Sequence, residues 1–188
     1  MNVNVLGEDT LESHELPGYM YKNLKPSLKL NRQLNKELIE KGIVKKEKVY
    51  HPMWIVKMLE IADRKPFPPR KRPNMLFVDA VSGYRGLFPN VPPITQKEET
   101  STRVKKASIT KQELLGKYIV DVQEKQINRK YVLKKPGYEI KEIEMVYLPL
   151  WLVEVETAFF SKTFVLNGNT GESEDLLMKL WKSNEWKL

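Results

Sequence analysis

A ten-residue stretch of this chain occurs twice. Val49-Tyr50-His51-Pro52-Met53-Trp54-Ile55-Val56-Lys57-Met58 reads against Val146-Tyr147-Leu148-Pro149-Leu150-Trp151-Leu152-Val153-Glu154-Val155. Val, Tyr, Pro, Trp and Val fall at matching places. A Trp and a Pro shared in register mark a duplicated structural element rather than chance. A second pair follows: Phe77-Val78-Asp79-Ala80-Val81-Ser82-Gly83 against Val165-Leu166-Asn167-Gly168-Asn169-Thr170-Gly171. Whatever the chain folds into must give both copies the same local geometry.

The copies differ in one place. Trp54 precedes Asp79 by 25 positions and Trp151 precedes Asn167 by 16, so the first copy carries nine extra residues. They map to Arg64-Lys65-Pro66-Phe67-Pro68-Pro69-Arg70-Lys71-Arg72-Pro73. Four of these are Pro (Pro66, Pro68, Pro69 and Pro73), and Pro removes ladder donors. The expectation is a hairpin loop lengthened into a stiff, basic, polyproline-like projection.

Strand periodicity runs through both copies. Tyr50, Trp54, Val56 and Met58 alternate with Val49, Met53 and Ile55, and Tyr147, Trp151, Val153 and Val155 with Val146, Leu148, Leu150 and Leu152. The Tyr/Trp/Val face is apolar throughout and is expected to meet the helix of its own copy. The opposite face is apolar for its first half, so something must cover it as well. The other copy within the chain is the preferred cover, a homodimer the alternative. Asp79–Gly83 and Asn167–Gly171 end their strands in turn chemistry.

Helix signals precede each strand set. Ser27 is placed to cap a helix with Leu30, Leu34, Leu38 and Ile39 on one face, ended by Gly42. Thr110-Lys111-Gln112-Glu113 is a capping box, followed by a stripe of Leu114, Leu115, Tyr118, Ile119 and Val122. A third helix is predicted from Glu174 to about Ser183, acidic at its start and basic at its end. The fold class read from these signals is α+β: two tandem helix-plus-antiparallel-sheet units and a C-terminal helix. Residues 1–26 read as a tail, 27–88 as the first unit, 89–104 as a Pro-bearing linker, 105–172 as the second unit and 173–188 as the C-terminal helix.

Strand ends of the form Phe77-Val78-Asp79-Ala80-Val81-Ser82-Gly83 resemble PepSY-type domains, which share a cystatin-like helix-on-sheet shape. Val165–Gly171 matches less closely, with Asn167-Gly168 in place of Asp-Ala. The likeness covers residues 45–88 and 138–171. It implies a non-catalytic interaction or regulatory module.

Chemistry-bearing residues are sparse. Cys is absent and only His14 and His51 occur, which excludes disulfides, thiolate chemistry and a multi-histidine metal centre. His51 faces Leu148 across the repeat, so it is read as a packed histidine. Asp79 and Asn167 are read as turn caps rather than cation ligands, and Gly83-Tyr84-Arg85-Gly86 matches no phosphate-cradle pattern. No catalytic, metal or cofactor residues are assigned, and the chain is not expected to be an enzyme. Tyr50, Trp54, Tyr147 and Trp151 are assigned to the core.

Charge supplies the remaining clue. Lys and Arg number 32 against 24 Asp and Glu, a net +8, which favours acidic partners. Lys65, Phe67, Arg70, Lys71 and Arg72 in the Pro-rich segment are the candidate partner-binding residues. The leading expectation is a protein-interaction or scaffold module of a bacterial-type assembly, its basic loop contacting an acidic protein. Nucleic-acid binding through the same loop is the first alternative, and a small-molecule protein with a helix–sheet pocket the second. No apolar run spans a membrane and residues 1–16 lack the pattern of a secretory signal, so no membrane insertion and a cytoplasmic setting are expected.

Overall fold

The computed structural model describes residues 2–90 and 92–188. Met1 of the expected tail and Val91 of the expected linker lie outside the described residues. Seven strands form one mixed sheet: β1 (Asn2–Leu6), β2 (Ile43–Arg64), β3 (Phe67–Asp79), β4 (Arg85–Leu87), β5 (Ile94–Glu98), β6 (Gly137–Glu156) and β7 (Ser161–Asn167). Their order is β4-β3-β2-β6-β1-β5, with β7 paired to β6 off this path. β1 meets β6 in parallel at Val5 and Tyr147, whereas β2–β3, β3–β4, β1–β5 and β6–β7 are antiparallel.

This sheet overturns the expected pair of tandem helix-plus-antiparallel-sheet units. The chain does divide into two compact units, but neither is contiguous. Residues 1–51, 93–105 and 147–182 make the first; residues 52–92, 106–146 and 183–188 make the second. The physical reason lies in β2 and β6, which are 22 and 20 residues long and each contribute to both units. Both copies of the Tyr-x-Pro-x-Trp phrase sit in these two strands.

In the first unit, α1 (Leu16–Lys22), α2 (Pro26–Lys29) and α3 (Lys36–Lys41) cover β6 and β7. Leu16, Met20, Leu34 and Ile39 form one apolar cluster with Val153, Val155, Phe164 and Leu166. The expected single helix capped by Ser27 is broken into two. Leu30 is 83% exposed. The working cap is Asn35, whose side chain accepts from the Leu38 amide at 2.9 Å. Residues 2–22 are likewise no tail, since they supply β1 and the fully buried Leu16 and Met20 of α1. The expected linker contains β5, paired to β1 along its length. The opposite face of this unit's sheet is closed by the C-terminal helix Asp175–Trp181, whose Leu177 joins Val49, Leu150 and Val165. The cover foreseen for that face is thus supplied by a helix, not by a second sheet.

In the second unit, residues 111–130 form a continuous helical stretch with two π-type turns, Leu114–Tyr118 and Gln123–Ile127. The capping box is present: Thr110 Oγ1 accepts from the Glu113 amide at 3.2 Å and Glu113 Oε2 from the Thr110 amide at 2.9 Å. Leu114, Tyr118, Ile119, Val122 and Ile127 pack on Val56, Met58, Leu76 and Val78. The helix of the second sequence copy therefore covers the hairpin of the first. The hairpin of the second copy is covered by the N-terminal helices. Each face meets the helix of the other copy, not its own.

The duplicated phrases make matching contacts. Trp54 Nε1 donates to the Ile109 carbonyl at 2.9 Å and Trp151 Nε1 to the Leu11 carbonyl at 3.1 Å, each just ahead of a helix. Both rings are half-buried, less enclosed than an apolar face had suggested. The Pro52 carbonyl accepts from Ala80 and the Pro149 carbonyl from Gly168. Gly83 and Gly171 close the equivalent turns at φ +80° and +71°. A side chain on Gly83 would lie 2.7 Å from the Trp186 carbonyl oxygen, and one on Gly171 2.2 Å from the Tyr19 ring. Among the described residues no helix is long and apolar enough to cross a membrane.

Arg85 anchors the second unit. Its Nε and Nη2 both reach Asp121 Oδ2 at 2.7 Å, and Nη1 donates to the carbonyls of Gly83 and Trp186 at 2.8 Å. The guanidinium also lies over the Tyr118 ring at 5.2 Å. Burial alone would raise the Asp121 carboxyl, but Lys125 and Arg85 outweigh it and hold it below the usual range.

Two outcomes follow for stability. Gly83→Ala and Gly171→Ala should each cost about 2–5 kcal/mol, because a left-handed backbone penalty of about 1–2 kcal/mol adds to an overpacking cost of about 1–3 kcal/mol. Urea denaturation of each variant checks this, and unchanged midpoints would refute the shared turn geometry. Asp121→Asn should cost about 3 kcal/mol by leaving Arg85 buried without its counter-ion. A depressed carboxyl stabilises the fold above its unfolded value near pH 4, and that contribution fades as pH falls through the folded value. Wild type should therefore lose melting temperature on acidification below about pH 4 more steeply than Asp121→Asn.

Candidate functional site

The Pro-rich segment is a strand, not a loop. β3 begins at Phe67 and pairs with β2 through Ala62↔Arg70, Ile61↔Lys71, Glu60↔Arg72 and Leu59↔Pro73, with a register shift before Arg64↔Phe67. Only Lys65 and Pro66 remain as the connection, and their peptide bond is cis. The expectation that Pro forbids pairing fails because β4 covers β3 only at Leu76, Phe77 and Val78. Toward Phe67 the outer side of β3 has no strand partner among the described residues, the edge setting in which Pro is tolerated, and Pro68 and Pro69 fall at the register shift. The nine-residue insertion has become an elongated hairpin end.

All five residues singled out in the sequence lie on this end. Lys65, Phe67, Arg70, Lys71 and Arg72 are exposed, as is every residue from 63 to 73, and Phe67 keeps 67% of its surface. Among the described residues, the side chains of Lys65, Arg70, Lys71 and Arg72 make no hydrogen bond or close ion pair, although the charge of Lys65 acts on Asp63 and that of Lys71 on Glu139. Arg64 makes one long bond, 3.4 Å to the Pro68 carbonyl. The side chains are held apart by backbone pairing rather than by counter-ions.

A second segment that sequence reasoning passed over shares this place. Arg129-Lys130-Tyr131-Val132-Leu133-Lys134-Lys135 follows the 111–130 helix. Two contacts pin it to β2. The Tyr131 hydroxyl donates to Glu60 Oε1, and Lys134 Nζ pairs with Asp63 at 2.6 Å. Lys135 closes the loop by donating to the Asn128 and Tyr131 carbonyls at 2.9 Å. Val132 and Leu133, between the two pins, are 94% and 100% exposed. Their signal was the density of cations around a short apolar triplet.

The electrostatics of the base differ from those of the tip. Glu60 is buried and bonded to Asn74 Nδ2 at 2.9 Å as well as to Tyr131. That bond, then burial, pushes the Tyr131 hydroxyl up, with Arg72 and Arg70 opposing. Burial and the Glu60 charge push Tyr138 up to about 12. The bond from Lys134 holds the Asp63 carboxyl below its ordinary value. Acids are consumed at the base, and the tip is left cationic.

Other polar groups of note are tied into the fold. Tyr50 is buried, its hydroxyl shared between Glu99 Oε1 at 2.7 Å and Asp9 Oδ2 at 3.0 Å, and burial followed by the bond to Glu99 pushes it up. Asp9, at φ +54°, pairs with Lys48 at 2.6 Å and Lys97 at 3.0 Å. Tyr147 packs half-buried with Val3, Val5 and Tyr50. His51 is buried and stacked on Trp181 at 5.0 Å, and Lys105 Nζ lies 3.2 Å from the same ring's centre. Asp79 accepts from the Val81 and Ser82 amides and the Ser82 hydroxyl, the turn-capping role read for it. No group of three His, Cys, Asp or Glu side chains suited to a metal occurs among the described residues.

Comparison with known proteins adds nothing to this geometry, for no family model, no curated protein and no solved structure matches the chain.

Proposed function

We propose that this protein is a non-catalytic binding module that docks on an acidic partner through the cationic end of its β2–β3 hairpin. One observation carries the reading. Four cations on the hairpin, Lys65, Arg70, Lys71 and Arg72, are exposed and their side chains make no close ion pair among the described residues, while the acids beside them, Glu60 and Asp63, are bonded to Tyr131 and Lys134. An excess of charge of one sign, carried largely on a paired strand, costs the backbone little freedom when a partner arrives. It also steers encounter with an oppositely charged surface. The buried ionic groups elsewhere, Asp9 with its lysines and Arg85 with Asp121, serve the scaffold, since each is saturated by protein partners.

The test is the triple variant Arg70→Ser, Lys71→Ser, Arg72→Ser. Exposed substitutions usually change stability by no more than about 0.5 kcal/mol each, so its melting temperature should stay close to wild type. On immobilised heparin and on poly-glutamate resin, wild type should elute at clearly higher salt than the variant. Equal elution of the two proteins would sink the proposal.

A further inference from the structure

We infer that the acidic partner is the surface of an anionic lipid bilayer, met by a tip that combines cations with inserting apolar side chains; this rests on the docking role proposed above. The charge alone would suit any polyanion. The apolar residues decide among them. Val132 and Leu133 are adjacent, 94% and 100% exposed, and held out from the fold between the Tyr131–Glu60 and Lys134–Asp63 pins. Phe67 stands 67% exposed at the end of the neighbouring hairpin. A surface loop gains nothing in water from two bare aliphatic side chains in succession, and a loop so pinned cannot fold them inward. In a bilayer interface the same side chains leave water for the acyl boundary, while the surrounding Lys and Arg stay among the headgroups.

The alternatives fit less well. Phosphate backbones of nucleic acid reward the cations but offer Val132 and Leu133 no stacking partner, because base stacking needs a π face. An acidic protein would have to present a groove matched to two separate projections. A fluid headgroup layer needs no such match. The cations set the sign of lipid required: each Lys or Arg near an anionic surface strengthens binding about fivefold, so neutral lipid should not suffice. This is peripheral attachment, with no span involved.

The experiment uses the full chain with vesicles of phosphatidylcholine alone and of phosphatidylcholine mixed with phosphatidylglycerol. Wild type should co-sediment with the mixed vesicles, weakly or not at all with the neutral ones, and less as salt rises. The double variant Val132→Ser, Leu133→Ser should lose on the order of tenfold in partitioning, with heparin elution and melting temperature unchanged. The chain has no cysteine, so Leu133→Cys can be labelled uniquely with an environment-sensitive fluorophore. Its emission should shift to the blue on mixed vesicles. Vesicle binding that survives the double variant, with no blue shift, would overturn the insertion and leave only surface charge. Heparin retention without vesicle binding would overturn the lipid assignment while the docking role stands, and duplex DNA bound equally by wild type and double variant would name the other partner. A chain retained by neither heparin nor vesicles would bring down both readings.

Discussion

Everything in this fold depends on two very long strands being held at both ends. β2 and β6 carry 22 and 20 residues, several times the usual strand length of about five or six. Each must bury apolar faces in two separate cores. The tryptophans fix where those cores form. Trp54 and Trp151 each lay a ring on the sheet and send the indole N–H to the carbonyl just before a helix, Ile109 in one unit and Leu11 in the other. A half-buried ring with a satisfied polar edge is a strong anchor. It sets the point at which a helix must begin over the sheet, and the apolar stripes of 111–130 and of α1–α3 then follow by packing.

That arrangement explains why the sequence copies and the compact units do not coincide. In the second unit the covering helix comes after its hairpin in the chain. In the first it comes before, from the N-terminus. Two helix-then-hairpin copies that exchange their helices give this pattern, and the exchange makes the copies inseparable. Cutting between residues 88 and 105 would leave each hairpin without its cover.

How much of this was legible follows from the same contacts. The repeat, the strands around Tyr50 and Tyr147, the capping box at Thr110, the C-terminal helix and the turns at Asp79 and Asn167 are local, and local patterns survive in sequence. The exchange of helices is not local. Nothing in Leu34 or Ile39 says that the facing residues are Val153 and Phe164 rather than Val56 and Leu76. The helix opening of the first copy was also disguised. Leu11, Glu15, Leu16 and Met20 correspond to Ile109, Glu113, Leu114 and Tyr118, but residues 1–26 lack an apolar periodicity and read as a tail. At the candidate site the cations of the first segment were readable as a run. Their pairing into a ladder was not, because the rule that Pro breaks strands applies to a strand paired on both sides, and β3 near Phe67 is paired on one. The Arg129–Lys135 segment went unread because its importance arises only from Glu60 and Asp63, which lie far off in sequence.

The distribution of acids shows where the molecule leaves itself open. Asp9, Glu60 and Asp79 are buried and Asp121 half-buried, and the carboxylate of each accepts from a backbone or side-chain donor. A buried carboxylate without partners would be costly, so these positions are fixed by the fold. The cations are not so constrained, since a lysine or arginine can extend into solvent from any strand. An excess of positive charge therefore accumulates wherever the chain has no buried carboxylate to answer. The hairpin end is such a place: its last acid, Asp63, is engaged by Lys134. Beyond that pin only Arg64↔Phe67 remains of the ladder, and no further acid follows before the turn. Backbone pairing and an excess of positive charge are thus built at the same spot by one insertion, which the second copy lacks.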